Sequence, residues 1–60
     1  MQAIDVQEYA RQLFDAHGFK AIAEAAQKAS AFEAQGDDQQ AQTWRRIEAA
    51  LIEMRGPHAS

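Results

Sequence analysis

The sequence predicts an all-α fold: a three-helix array in which a short first helix packs on an antiparallel helical hairpin made by the second and third. Three observations predict it. Gly18, Gly36 and the pair Gly56–Pro57 cut the 60 residues into three segments, none with an internal glycine or proline, and these are the residues that stop helices. Within each segment the bulky apolar residues recur three and four apart, the spacing of one buried helix face. No stretch alternates with a period of two, and β-branched residues are few, so no strand is expected.

The first helix is expected over about 5–17. Asp5 is placed to cap its first amides, Glu8 three positions on completes a capping box, and Ile4 can staple onto Tyr9. Val6, Tyr9, Ala10, Leu13, Phe14 and His17 form its buried stripe. Gly18 then supplies a left-handed stop, with Phe19 beyond it in reach of Phe14. The second helix, about 19–35, has no good N-cap. It carries two stripes roughly 90° apart, one of Ile22, Ala25, Ala29 and Phe32, the other of Ala23, Gln27, Ser30 and Ala34. That arrangement predicts a central helix touched on two sides. Lys20 with Glu24, and Glu24 with Lys28, stand at i,i+4 as exposed pairs.

Gly36 ends the second helix and Asp37 caps the third, with Gln40 as box partner, so a tight turn is expected. The third helix, about 38–55, aligns Trp44, Ile47, Leu51 and Met54, and Gly56 with Pro57 closes it. Residues 57–60 form a short tail. The core predicted from these stripes contains Tyr9, Leu13, Phe14, Ile22, Ala29, Phe32, Trp44, Ile47 and Leu51.

The apolar fraction is 47%, yet alanine supplies half of those residues. A chain this short buries only about 60% of the surface that its unfolded form exposes, which leaves room for one small core. A protein short of bulk gains from a partner chain. With no cysteine, disulfides, thiolate metal sites and cysteine nucleophiles are out. No apolar run reaches the roughly 18 residues of a membrane span, and a cytoplasmic protein is expected. Six basic against nine acidic residues, a net charge of −3, disfavours nucleic acid and anionic membranes as partners.

Candidate chemistry is thin. His17 lies near Asp15, but no Glu-x-x-His pair of the di-metal bundles is present, and a histidine in a last turn has a structural role against the helix dipole. His58 falls in the tail. Asp5 and Asp37 are occupied as caps, and the three glycines stop helices instead of cradling phosphate. The chain is therefore expected not to be an enzyme and to use no cofactor or small-molecule substrate. Arg45, Arg46 and Arg55 on the third helix admit an alternative, a small DNA-binding regulator, although Glu48 and Glu53 interrupt the basic residues and Arg45 can pair with Glu48.

Ile52 departs from the core stripe by about 100° and falls beside Ala41, with Arg45 and Glu48 flanking it. It is a lone exposed isoleucine that needs no explanation, or covers the edge of the first helix, or meets a second chain across a polar rim. The expected partner surface is Ile52 with Ala41, Arg45 and Glu48, extended by the small-residue stripe Ala23, Ser30 and Ala34. The expected function is that of a non-catalytic protein–protein interaction module, working as a homo-oligomer such as a homodimer or as a small accessory subunit of a larger complex.

Ala29, Phe32, Gly36, Asp37 and Ala41 resemble the middle of a tetratricopeptide-type helical hairpin: an aromatic, a Gly-Asp turn, and small residues where helices approach. The likeness spans about 15 residues and implies hairpin geometry only, because such repeats bury their faces by stacking several units. It then breaks: Trp44 comes one position early, and Glu48 stands where a small residue is expected. The third helix from Trp44 through Ile47, with its close at Gly56, Pro57 and His58, also resembles short uncharacterised bacterial all-helical proteins, a likeness that implies no site residues.

Overall fold

Three helices follow one another with almost no connecting chain in the computed structural model, which describes residues 5–56. They are α1 (Val6–His17), α2 (Lys20–Gln35) and α3 (Asp38–Arg55), and the described residues contain no strand. The all-α three-helix array is thus the observed architecture. The Ile4 staple, His58 and the tail at 57–60 lie outside the described residues.

α1 and α3 begin where the sequence offers a cap. Asp5 stays extended while its carboxylate accepts hydrogen bonds from the Gln7 and Glu8 amides, at 3.1 and 3.5 Å, two donors that the first turn would otherwise leave unpaired. Asp37 does the same for the Gln40 amide at 3.2 Å. Its own amide donates to the Phe32 carbonyl at 2.9 Å, so the reciprocal half of the expected box is replaced by the stop of the preceding helix. Gly36, left-handed at φ 81° and ψ 15°, donates to Glu33. The two bonds make a Schellman stop that runs directly into the next cap. α2 lacks such a start: it opens at Lys20, one residue later than expected, behind a Phe19 that has helical dihedrals and caps nothing.

α3, and not α2, is the central helix: it packs along α2 and against α1, whereas α1 and α2 touch least. The second stripe of α2 consequently faces outward, with Ala23, Gln27, Ser30 and Ala34 all exposed. Among the described residues no fourth element covers it, which two stripes on one helix do not reveal.

The interior is built from the smallest side chains. Ala10, Ala21, Ala25, Ala29, Ala41 and Ala50 are buried, and Ile47 and Leu51 are the only bulky residues fully enclosed among the described residues. Of the predicted core, Ala29, Ile47 and Leu51 are buried. Tyr9, Leu13, Phe14, Ile22, Phe32 and Trp44 are half-buried, and all but Phe32 pack around the central cluster. The correction follows from geometry. Helix separation is set by the side chains at the contact, so alanines at the closest approach draw the backbones together and larger neighbours flare outward. Ile47 and Leu51 each contribute about 1.5–3 kcal/mol by full burial. Tyr9 meets Trp44 edge to face, with ring centroids 5.9 Å apart and planes at 74°, fixing α1 to the first turns of α3.

Candidate interaction surface

The flank of α3 that looks along α2 is organised by Arg45. Its Nε and Nη2 donate to the two carboxylate oxygens of Glu33 on α2, each at 3.3 Å, and its Nη1 donates to Glu48, one turn along α3, at 3.0 Å. The paired fork on Glu33 is the geometry in which a guanidinium binds a carboxylate best. The hydrogen bonds that Arg45 donates to Glu33, and then to Glu48, push its pKa above the ordinary value. The i,i+3 pair with Glu48 was legible in the sequence. The partner on α2, twelve residues away, was not, since only the turn at Gly36 brings Glu33 alongside.

Ile52 follows Glu48 by one turn. It is 45% exposed, so it does not seal the edge of the core. Ala41, expected on the same surface, is 4% exposed and belongs to the interior instead. Both lie at nearly the same helical angle, but an alanine side chain reaches little beyond its own backbone, so the adjacent helix covers it. Arg45, Ala23, Ser30 and Ala34 are exposed, and Glu48 is half-buried. The Arg45–Glu33 bridge ties this flank of α3 to α2.

A second exposed apolar residue was not singled out from sequence. Phe19 stacks on Phe14 as expected, at 5.7 Å between centroids with planes tilted by 58°, yet 66% of it remains open to solvent. The hairpin is antiparallel, so the start of α2 and the last turns of α3 share one end of the molecule. Phe19 and Ile52 are both at that end. The position of Phe19 directly after a helix stop was the available signal.

His17 is exposed, not part of the buried stripe. Its Nδ1 lies 3.5 Å from the carboxylate of Glu24, and Asp15 is not its partner. Glu24 turns to His17 and Lys28 places its ammonium 5.6 Å from the centre of the Trp44 ring, so the expected Glu24–Lys28 pair gives way to contacts across helices. The attraction between cation and ring face holds α2 to α3 at this level. Among the described residues no three His, Cys, Asp or Glu side chains gather where a metal ion could be held. None of the helices there is long and apolar enough to cross a membrane.

An open trough of about 410 Å³ is lined by Glu24, Gln27, Lys28, Ala31, Phe32 and Gln35. All six belong to α2, so no second element supplies the convergent polar groups that orient a small ligand. Of the basic residues of α3, Arg45 is held between two carboxylates.

Fold and surface together define a small helical array with one ion-paired, partly apolar flank. Comparison with protein-family profiles, with curated proteins and with solved structures returns no significant match.

Proposed function

We propose that the protein is a non-catalytic interaction module that self-associates, or docks as a small accessory subunit on a larger protein, through the flank carrying Ile52, Arg45 and Glu48, with Ala23, Ser30 and Ala34 of α2 beside it. One observation carries this reading. Ile52 stands open on a chain that fully encloses only two bulky side chains among the described residues, and it is rimmed by charged residues already paired with each other. An apolar centre with a polar rim is the anatomy of a protein contact, and ion pairs formed in advance reduce the cost of desolvating unpaired charge when that contact closes. Small residues on the neighbouring strip let a second helix approach closely. A cytoplasmic setting belongs to the same reading, supported by a chain that uses no cysteine.

Sedimentation equilibrium from micromolar to millimolar concentration tests it. The weight-average mass of the wild type rises above that of one chain, while the Ile52→Asp variant keeps its helix content and stays monomeric. A wild type that is monomeric throughout ends the self-association arm.

A further inference from the structure

We infer that Gly18 is a single-residue hinge through which α1 exchanges between two copies of the chain, so that the face of α3 that receives α1 accepts the α1 of a second copy equally well.

The junction between α1 and α2 departs from helical geometry at one residue only. Gly18 has φ 65° and ψ −142°, while Phe19, next to it, is already right-handed helical at φ −66° and ψ −19°. The Gly18 amide still donates to Phe14 at 2.7 Å, and its carbonyl already accepts from Ala21 at 3.0 Å. One change at Gly18 therefore turns 6–35 into an uninterrupted helix about 45 Å long, at about 1.5 Å per residue. The Gly18 conformation mirrors one that L-residues favour, a region that glycine enters freely and other L-residues do not. A Cβ there would meet nothing within 4 Å, so the closed form rests on backbone freedom at this position and not on space.

Opening separates α1 chiefly from α3, since its contacts with α2 are the fewest in the molecule. It would expose Val6, Tyr9, Ala10, Leu13 and Phe14 together with the surface that they cover. In a lone chain that is costly, but a second open copy covers both surfaces with the same contacts. A one-residue connection gives the intramolecular contact a high effective concentration, which keeps the wild type closed at ordinary concentrations. An L-residue at Gly18 penalises the closed form by a factor between about 5 and 150. An exchanged dimer opens two hinges, so its association constant rises by the square, between about 25-fold and about 20,000-fold.

This exchange does not use the Ile52 flank, and the test is run in the Ile52→Asp background so that the two ideas fail separately. Gly18→Ala in that background forms a dimer by light scattering at ~100 µM, a level set by the millimolar effective concentration of a short connection, with its helix content retained. A synthetic chain with D-alanine at position 18, which favours the positive φ, stays monomeric. Spin labels on Gln7→Cys and Gln27→Cys of one chain, diluted into unlabelled Gly18→Ala, separate to about 30 Å, the length of 20 helical residues. A folded Gly18→Ala monomer, an unfolded one, dimerisation by the D-alanine chain, or a label distance equal to that in the monomer overturns the inference.

Discussion

Replacing Ala25 with leucine probes the packing that defines this molecule. Ala25 is fully buried, as are Ala21 and Ala29 one turn to either side, on the face of α2 that meets α3. Three added carbons have no space there unless the helices separate, and overpacking of this kind costs about 2 kcal/mol, within a range of about 1–3. A 60-residue chain has about 3–9 kcal/mol of total stability at ordinary per-residue values. Its unfolding entropy is about 0.13 kcal/mol/K, so the loss lowers the melting temperature by about 16 °C. Ala23→Leu, on the exposed strip of the same helix, stays within about 0.5 kcal/mol. Far-UV circular dichroism melts at low micromolar concentration, where association contributes least, separate the two. Equal shifts for Ala25→Leu and Ala23→Leu, or a rise for Ala25→Leu, would refute a close α2–α3 contact built on alanine.

Loss of the Asp37 cap is expected to matter because it starts α3 directly after the stop of α2: Asp37→Ala costs about 1 kcal/mol, some 8 °C by the same conversion, whereas Asp37→Asn keeps most of it. Arg45→Met lowers the melting temperature in dilute buffer, and the difference from wild type shrinks towards ~1 M salt, where screening is strong. A difference that persists at high salt would mean that the Arg45 stem acts through packing.

Helix boundaries were legible in the sequence because stops and caps are local chemistry. Gly18, Gly36, Asp5 and Asp37 act on amides within a few residues of themselves, and α3 falls at 38–55 as read. What the spacing of apolar residues did not reveal was the depth of each side chain. Trp44, Phe14 and Tyr9 carry the strongest stripes and end up half-buried, since bulky residues flare from a contact that alanines set. Nor does periodicity say which helix is central: α2 shows two stripes, yet its small-residue face remains bare. The candidate surface was partly legible. Ile52 stands out by its angle alone, and the Arg45–Glu48 pair by its spacing. Glu33 joins them only through the hairpin, and Ala41 is lost to the interior because its side chain is short.

The central claim is that the Ile52 flank meets another chain. Intermolecular nuclear Overhauser effects, in a millimolar mixture of isotope-labelled and unlabelled wild-type chains, test it most directly. The account predicts cross-chain contacts to the Ile52 methyl groups that disappear in Ile52→Asp. Cross-chain contacts confined to other faces, or a spectrum that shows none and does not change with concentration, would contradict self-association through this flank.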